Sequence, residues 1–592
     1  MSVSLSGQSS SKEALRQFKD PVHTYFTFSK RVCRIIDTCV FVSAVRRVQK
    51  RVCLSFNDPY RRNIIPSYTS SPHFQRLRKV KQLGTTYHVW PNASHNRFEH
   101  CLGVGYLAGQ LATQLRMAQP HLAITDRDVE CLQIAGLCHD LGHGPWSHVF
   151  DGMFMPKAMP GTNWQHEQGS ELMFNDMISS RKIPLSKKDC SFVKALIAGD
   201  PNQCDADEKR FLFDIVANKR NGLDVDKFDY IVRDSLMVGH KVNLDIQRIV
   251  GSARVIKDQI CYDCKDLNNI YKIGENRFEL HKMVYNHKTA KAIEYMIIDA
   301  LHLADPYMGI SKAVFNPKQY LNLTDSIMDR IEASDDERLA PAKAIFERIH
   351  DRDLYRLTDF KCFPWKVENK KYIQEHITPR AIVETAGLLY GGDVSGLREE
   401  DVIVDLTTMH YGMKDANPLK NVRFYNKANP NVSFRARDGD YSTLRPSVFA
   451  EHKLQIYSKQ SKYCGVVQKA YRHFCEKDDQ LRKILMTEED PSSDLSSDEG
   501  DDPDDITRAP SLAPTEIERT DPPPTKKRSF GRVWSKSMTS LDPFPSSATD
   551  EKATEEGFSP PPFSAKHVLD SEDEEELELA SPGPAEKRIK LV

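Results

Sequence analysis

The sequence predicts a mainly α-helical protein with a small mixed α+β lobe toward its C-terminal end and a disordered tail. Three observations support this prediction. Apolar residues recur at helical spacing in the first part of the chain, two short β-rich segments follow, and the composition changes sharply after Thr487. With 592 residues, of which 40% are hydrophobic, the chain is long enough for more than one domain.

Three segments have the period of a helix. Apolar residues recur every three or four positions over 104–115, 129–138 and 290–303, so we predict a helix over each. Thr125 and Asp126 precede the second segment as typical helix caps, and Gly142 is expected to end that helix. Segments 401–406 and 422–425 are rich in β-branched or aromatic residues and predict strands of the small lobe.

These patterns divide the chain into four parts. Residues 1–12 are polar and Ser-rich and predict a disordered leader. We expect the helical domain over 13–378 and the mixed lobe over 379–486. Residues 487–592 are dominated by Asp, Glu, Ser and Pro, and such a segment cannot bury enough apolar surface to offset its chain entropy. We therefore predict a disordered tail.

The tail contains two basic clusters, 526–528 and 587–590. The second resembles a short nuclear import signal, which predicts a nuclear location. The alternative is a solvated charge cluster on a loose chain end.

Bulk composition excludes several classes of protein. The net charge is -1 and the pI is about 7.0, so overall charge favours neither nucleic acid nor membrane as a partner. The leader lacks the apolar core of a signal peptide, and the apolar stretch at 40–45 is too short to cross a bilayer. The 13 Cys show no disulfide spacing, which indicates a soluble protein of a reducing compartment. Cys261 and Cys264 form a lone C-x-x-C pair, which is weak evidence for zinc.

The segment 138–145 contains the sharpest chemical signal. It holds an adjacent His139–Asp140 pair at the end of a predicted helix, followed by His143 between two glycines. Imidazole together with carboxylate suits a transition metal. Three further features accompany it: His100 at the start of the first helix, His148 and His166 downstream, and the acidic segment 224–234. Each alone has an ordinary structural explanation, but their combination favours a metal site.

In the order of these residues, the chain resembles the HD superfamily of metal-dependent phosphohydrolases, which share the order His, His-Asp, Asp. It is most similar to the SAM-and-HD-domain dNTP triphosphohydrolases of animals. The matching motifs are 74–78, 81–84, 93–100, 102–109, 134–145 and 218–230, with Asp405, 411–413 and 417–418 in the small lobe. The resemblance covers most of 18–457. The SAM module is expected to be absent, because too few residues precede the helical domain to hold it.

The resemblance implies a divalent transition metal (Fe, Mn or Zn) with Mg as an additional cofactor. It implies four metal ligands: His100, His139, Asp140 and Asp226. His143, His148 and His166 would surround the scissile phosphate, and we select His148 as the general acid, since an imidazole titrates near neutral pH. The implied reaction attacks the α-phosphorus of a dNTP and releases deoxynucleoside and inorganic triphosphate. Such an activity would lower cellular dNTP pools.

Eight residues match the family's substrate contacts: Arg97, Gln82, Leu83, Lys227, Tyr230, Asp234, Arg277 and Tyr285. The three cations match phosphate contacts. Gln82 and Asp234 match residues that bind the 3′-hydroxyl. The ring of Tyr285 matches one that packs against the 2′ carbon, where a ribonucleotide would have to bury an unpaired hydroxyl.

The family is activated when GTP or dGTP and a dNTP bind between subunits and assemble a tetramer. Seven residues match its activator site: Asp37, Gln75, Arg78, Arg248, Asn269, His287 and Lys288. Three positions depart from the family. Asp263 and Val432 stand where an Arg is expected, and Lys19 stands where Asn is common. An acid at 263 would repel a triphosphate, so these departures put the activation in doubt.

The segment 39–71 has no counterpart in the family. It is basic and lacks an amphipathic period. It is either a surface loop, which costs little closure entropy, or a translated intron in a gene model. We favour the second, because the flanking residues join well without it.

Two other functions compete with the dNTP triphosphohydrolase. An HD nucleotidase or phosphodiesterase of another substrate class would keep the metal ligands and lose the triphosphate contacts. A nucleic-acid-binding protein, with single-stranded nucleic acid as its partner, is supported only by the basic segments at 39–71 and in the tail.

Overall fold

The helices predicted over 104–115, 129–138 and 290–303 all form, and each extends beyond its apolar stretch. In the computed structural model, which describes residues 15–36, 71–437, 439–441 and 445–485, they span Arg97–Ala118, Asp126–Cys138 and Lys288–Met308. The predicted cap is confirmed, because the Thr125 side chain accepts from the backbone N–H of Asp128. The predicted end at Gly142 is wrong. The helix ends at Cys138, and Gly142 lies in the loop that follows.

Most of the described chain is helical. In chain order the helices are α1 (Lys30–Ile36), α2 (Pro72–Arg76), α3 (Arg97–Ala118), α4 (Asp126–Cys138), α5 (Met155–Ala158), α6 (His166–Arg181), α7 (Lys187–Ala198), α8 (Phe213–Val216), α9 (Val225–Met237), α10 (Ile246–Ser252), α11 (Leu267–Leu280), α12 (Lys288–Met308), α13 (Pro317–Tyr320), α14 (Ile327–Glu332), α15 (Ala340–His350), α16 (Val367–His376), α17 (Pro379–Tyr390), α18 (Cys464–Lys477) and α19 (Asp479–Leu485). The strands are β1 (Leu15–Asp20), β2 (Thr24–Ser29), β3 (Arg254–Ile256), β4 (Gln259–Asp263), β5 (Arg356–Pro364), β6 (Val402–His410), β7 (Arg423–Asn426), β8 (Asn429–Phe434) and β9 (Ala450–Ser458).

The strands of the described residues form three small sheets. β1 and β2 make an antiparallel hairpin, β3-β4-β7-β8 make a second sheet, and β5-β9-β6 make a third. Both predicted strands are present as β6 and β7, but they lie in different sheets. β7 pairs in parallel with β4. The sequence did not predict this partner, because strand pairing depends on tertiary packing that a strand's own residues do not encode.

The described residues pack in two large hydrophobic cores and one small cluster of Ile256, Cys261 and Tyr425. The larger core includes the β1–β2 hairpin, α3, α4, α9 and α12. The smaller core is built from β5, β6 and β9 with α16 to α19. These observations confirm the mainly α-helical fold with a small mixed lobe. The domain boundary at 378 stays a prediction, and Phe363 and Ile373, which precede it, already pack in the smaller core.

Several sequence predictions concern residues outside the described ranges. The leader at 1–12, residues 39–70 of the predicted insertion and the tail at 487–592 are among them. Ser71, the last residue of the predicted insertion, is described. It caps α2 by accepting from the backbone N–H of Phe74. Among the described helices, none combines the length and apolarity required to cross a membrane.

Helices α3 and α9 approach closely at Gly103. A Cβ atom built on Gly103 would lie 1.9 Å from Asp229 Oδ1 and 2.7 Å from Arg233 Nη2. Both side chains are completely buried, and Arg233 binds Asp229 through Nε and Nη2, each at 2.8 Å. Only a residue without a side chain leaves room for this buried ion pair against α3.

We expect Gly103→Ala to destabilise the protein by about 1–3 kcal/mol or more, because the methyl group must displace a buried ion pair. The matched control is Gly251→Ala, also in a helix, where an added Cβ meets nothing within 4 Å. The control is expected to leave stability unchanged or raise it by up to about 1 kcal/mol. Thermal unfolding of both variants is the measurement, and equal melting temperatures would contradict the close approach.

Candidate metal centre and catalytic histidines

Three helices bring the four predicted metal ligands to one point. His100 lies in the first turn of α3, His139 and Asp140 directly follow α4, and Asp226 lies in the first turn of α9. His100 Nε2 lies 2.9 Å from Asp226 Oδ1 and 3.6 Å from Asp140 Oδ2. His139 Nε2 lies 3.4 Å from one oxygen of each carboxylate. The structure therefore brings together residues that are far apart in the chain.

The outer nitrogen of each imidazole is occupied by an acceptor. His100 Nδ1 donates to Asp229 Oδ2 at 2.8 Å, and His139 Nδ1 donates to the carbonyl oxygen of Gly136, also at 2.8 Å. With Nδ1 engaged in this way, Nε2 is the atom of each ring that is directed at the carboxylates. Metal-binding imidazoles are oriented in this way by outer hydrogen bonds.

These residues fit a divalent metal. The chemistry of the donor set, two imidazole nitrogens and two carboxylates, suits a transition metal. His139 Nε2 is buried and faces one oxygen of each carboxylate, which is the position of a ligand atom. The ligand atoms of His100, His139 and Asp140 lie within 4.8 Å of one another.

The carboxylates of the site favour a positive charge between them. Burial disfavours charge on His139, but Asp140 and Asp226 outweigh it and raise the pKa of His139 well above its usual range. Burial likewise opposes ionisation of Asp140, but Arg97 and the neighbouring imidazoles hold the pKa of Asp140 well below its ordinary value. The carboxylates stay ionised, which is the form that binds a cation.

Asp229 supports the site from behind. Its buried carboxylate accepts from His100 Nδ1 and Arg233, and also from His23 Nε2 at 2.6 Å. Arg233 in turn donates to Asp20 at 2.9 Å. Burial opposes the charge, but Arg233 and the histidines hold the pKa of Asp229 well below its usual range.

A second group of side chains adjoins the first. The ligand-type atoms of His143, His148, Asp151 and His166 also lie within 4.8 Å of one another. His166 Nδ1 donates to Asp151 Oδ2 at 2.5 Å, and His148 Nδ1 lies 3.6 Å from Asp151 Oδ1. His143 Nε2 lies 3.3 Å from Asp140 Oδ1 and links the two groups.

Ring geometry separates the roles of the two groups. The rings of His143 and His166 are stacked, with centroids 3.9 Å apart and an interplanar angle of 16°. The lone pairs of stacked imidazoles lie in parallel planes and do not converge on one ion. The second group is therefore better suited to proton transfer than to metal binding.

The pKa values of two imidazoles in this group, His143 and His166, shift in opposite directions. Burial, Arg97 and His166 hold the pKa of His143 well below its usual range. Burial also opposes the charge of His166, but Asp151 outweighs it and raises the pKa of that imidazole. His166 therefore holds a proton more readily than His143. His148 has 45% of its side chain exposed, so it faces the open side of the site.

The loop that carries these histidines is held tightly. Gly142 lies so close to the start of α6 that an added Cβ would come 2.0 Å from the carbonyl oxygen of His166. Trp146 and Ser147 adopt positive φ angles of 54° and 58°, a conformation that costs energy in residues other than glycine. Ser147 is fixed by Arg97 Nε at 2.9 Å and by the carbonyl oxygen of Lys81 at 2.6 Å. This strained turn presents His148.

The predicted sugar contacts are connected to one another. Asp234 accepts from Tyr285 OH at 2.8 Å and from His95 Nε2 at 2.7 Å. The backbone N–H of Gln82 donates to the carbonyl oxygen of His95 at 3.0 Å. Gln82 and the adjacent Leu83 therefore lie close to His95, the residue that binds Asp234. Gln82 Oε1 is buried and has no hydrogen-bond partner among the described residues.

The predicted phosphate contacts lie around the same space. Arg97 Nη1 donates to Asp140 Oδ2 at 2.6 Å, and Lys227 Nζ lies 3.3 Å from Asp224. Arg277 Nη1 donates to the carbonyl oxygen of His410 at 2.6 Å. Burial and the nearby charge of Asp234 raise the pKa of Tyr285 well above its usual value, and Tyr230 adds to this effect. The charge of Arg277 acts on the same hydroxyl in the opposite direction and lowers its pKa.

The described activator residues lie at three places in the chain: at α2, at α10 and α11, and at the start of α12. Arg78 donates to Gln75 Oε1 at 2.8 Å and lies 3.4 Å above the ring of Phe98. Arg248 binds Asp266, and Asn269 bonds with Asp245 on the same side of α10. His287 caps α12, which begins at Lys288. Asp37 lies outside the described residues.

Two positions that depart from the family, Asp263 and Val432, differ in exposure. Asp263 is 7% exposed, and its carboxylate accepts from the backbone N–H of Lys265 at 2.9 Å. Val432 is 62% exposed. Cys261 and Cys264 belong to neither of the two candidate ligand groups found among the described residues.

Sequence reasoning missed several residues that support the site, above all Asp151, Asp229, His23 and His95. Asp229 lies in the acidic segment that drew attention, one turn of α9 after Asp226, so helical spacing was a usable signal. Asp151 also lies close to His148 in sequence. No local pattern marks His23 or His95, because their partners are far away in the chain.

Comparison with known proteins agrees with this geometry. The model of the HD domain family matches residues 97–231, the span from Arg97 in the first turn of α3 to Ile231 in α9. All four predicted metal ligands and the three predicted catalytic histidines lie within it.

Relatives extend the match to most of the chain. It is 38% identical over 494 residues to deoxynucleoside triphosphate triphosphohydrolase SAMHD1 of Xenopus laevis, covering 76% of this chain and 72% of the relative. The Homo sapiens protein of that name is 37% identical over 479 residues, covering 76% and 71%. A homolog from Dictyostelium discoideum is 37% identical over 413 residues, covering 69% and 77%. The chain therefore belongs to the SAMHD1 family of HD-domain proteins.

Proposed function

We propose that this protein is a metal-dependent dNTP triphosphohydrolase that converts a dNTP to a deoxynucleoside and inorganic triphosphate. One observation supports the proposal most directly. Asp140, a predicted metal ligand, lies 3.3 Å from His143 of the histidine group, so a metal ion and a proton-transfer group can act on the same phosphate. The SAMHD1 relatives, whose printed names give this activity, support the substrate class.

His100, His139, Asp140 and Asp226 would hold the metal, and we propose Fe, Mn or Zn there with Mg as an additional cofactor. A metal bound there would act as a Lewis acid that activates water near neutral pH and neutralises charge on the phosphate. Arg97, fixed between Asp140 and Ser147, adds a positive charge beside the same phosphate.

The second group would handle protons. Asp151 holds His166 by a short hydrogen bond and lies 3.6 Å from His148. His148 faces the open side of the site and is positioned to donate a proton to the leaving ester oxygen. His143 and His166 would orient it and keep water ordered between the two groups.

The sugar contacts explain a preference for deoxyribose. We propose that Asp234 and Gln82 bind the 3′-hydroxyl, since Gln82 Oε1 is buried without a partner. The Tyr285 ring is anchored by its hydroxyl to Asp234 at 2.8 Å, so it is held as a rigid wall. A 2′-hydroxyl against that wall would be buried without a hydrogen bond.

The resemblance supports further proposals on regulation and location. We propose activation by GTP or dGTP together with a dNTP at subunit junctions, in a homotetramer, because the activator residues of the family are matched here and two of them, Arg78 and Arg248, are exposed. We also propose a nuclear location through the basic cluster at 587–590, a role in lowering dNTP pools, and single-stranded nucleic acid as a secondary partner. The tail that carries the basic cluster lies outside the described residues.

Product analysis tests the proposed reaction. With Mn²⁺, or with Mg²⁺ and added Fe²⁺, the protein is expected to release deoxyadenosine and triphosphate from dATP, more rapidly when GTP or dGTP is present. His139→Ala combined with Asp140→Ala removes two metal ligands and should abolish both products. The products are resolved by ion-exchange chromatography.

The exposed His121 offers a control, since His121→Ala removes an imidazole outside both groups and should leave activity unchanged. Release of monophosphate or orthophosphate would contradict the proposed reaction and favour an HD phosphohydrolase of another substrate class. If no product appears, deletion of 39–71 distinguishes an inactive chain from one disrupted by that segment.

A pH profile tests the role of Asp151. Because Asp151 raises the pKa of His166, Asp151→Asn should lower that pKa, so the protonated imidazole is lost at lower pH. We expect kcat to fall by about tenfold or more and the alkaline limb of the kcat profile to move to lower pH. An unchanged alkaline limb would exclude the Asp151–His166 pair from proton transfer.

A pair of variants tests sugar selection. Tyr285→Ala removes the ring and should lower the ratio of kcat/KM for dATP over ATP by about tenfold or more, since the 2′-hydroxyl gains space. Tyr285→Phe keeps the ring and loses only the hydrogen bond to Asp234, so it should retain most of the discrimination. Equal ratios for the wild type and the Ala variant would show that another residue reads the sugar.

A further inference from the structure

We infer that the β1–β2 hairpin is a working part of the metal centre, because His23 in its turn and Asp229 on α9 position the metal ligand His100. This inference rests on the proposed metal site and deepens it. His23 and Asp229 are positioning residues. They contact His100 or its partner and not the reacting phosphate.

The contacts form a chain from the hairpin to the metal ligand. His23 Nε2 donates to Asp229 Oδ1 at 2.6 Å, and Asp229 Oδ2 accepts from His100 Nδ1 at 2.8 Å. The three side chains are 4%, 0% and 1% exposed. A hydrogen bond in so dry a setting is strong, and losing one partner leaves the other unsatisfied.

Asp229 depends on His23 for part of its orientation. Arg233 donates to both carboxylate oxygens, through Nε to Oδ2 and Nη2 to Oδ1, each at 2.8 Å. Each carboxylate oxygen also accepts a hydrogen bond from one histidine, Oδ2 from His100 and Oδ1 from His23. Removal of the His23 ring opens space beside Oδ1 and lets the carboxylate turn away from His100.

The turn that carries His23 is constrained on both sides. The backbone N–H groups of Val22 and His23 donate to Asp20 Oδ2 at 3.0 and 2.9 Å, and Asp20 is held by Arg233. Thr24, a β-branched residue, has a φ of 61°, which is a costly conformation for such a side chain. A hairpin that only covered the core would not require this strained turn to point a histidine at Asp229.

The arrangement predicts that metal affinity depends on the hairpin. An imidazole ligand is oriented by the acceptor on its outer nitrogen, and loss of such outer partners typically weakens metal binding about 10- to 100-fold. The effect should appear in metal binding itself, whether or not the nucleotide reaction is measured.

The test is a Co²⁺ titration of the metal-stripped full chain by calorimetry, with the His139→Ala variant as the baseline for binding elsewhere. His23→Ala should raise the Kd for Co²⁺ by about 10- to 100-fold. His23→Gln, whose amide N–H can still donate to Asp229, should recover most of the affinity. His73→Ala is the matched control, because it removes another buried histidine that donates to an aspartate, Asp176, at 2.7 Å.

The outcomes are distinct. If His23→Ala binds Co²⁺ as tightly as the wild type, or if His73→Ala weakens binding equally, the hairpin only stabilises the fold and the inference is overturned. If the wild type binds no more Co²⁺ than His139→Ala, the proposed metal centre itself fails. The Co²⁺ absorption spectrum gives a second readout, since a changed His100 ligand alters it even in a fully loaded variant.

Discussion

The buried Asp229 carboxylate is the interaction on which the rest of the site depends. It lies where α3, α9 and the β1–β2 hairpin meet, and it binds His100, Arg233 and His23 at once. A buried carboxylate is costly unless it is paired and fully hydrogen-bonded. The charge of Arg233 and the absence of a side chain at Gly103 meet that requirement. The same contacts direct His100 Nε2 toward Asp140 and Asp226, so packing and metal chemistry share one constraint.

From this support the site divides into two functions. In the predicted metal-ligand group, Nε2 of His100 and Nε2 of His139 both face the carboxylates. The rings are held in this orientation by an acceptor on each Nδ1. The histidine group has stacked rings and a carboxylate, Asp151, that raises the pKa of His166. The link between them is short, 3.3 Å from Asp140 to His143. The proposed roles, metal binding for one group and proton transfer for the other, therefore rest on ring orientation rather than on residue type.

Much of this could be predicted from the sequence, for identifiable reasons. The helices followed from apolar periodicity, and the clustering of His100, His139, Asp140 and Asp226 followed from motifs in a recognisable order. The roles of His23 and His95 could not be predicted, because a long-range hydrogen bond leaves no local pattern. The end of α4 at Cys138 was also missed. Gly142 is required by close packing against α6 and not by helix termination. The partner of β7 depended on tertiary packing in the same way.

The most direct test of the account is the position of the metal itself. A crystal of the Mn²⁺-loaded protein, measured by anomalous diffraction, should show one strong peak bound by His100, His139, Asp140 and Asp226. It should show none among His143, His148, Asp151 and His166. A peak held by the second group, or none in the first, would contradict the division between metal binding and proton transfer on which the proposed chemistry depends.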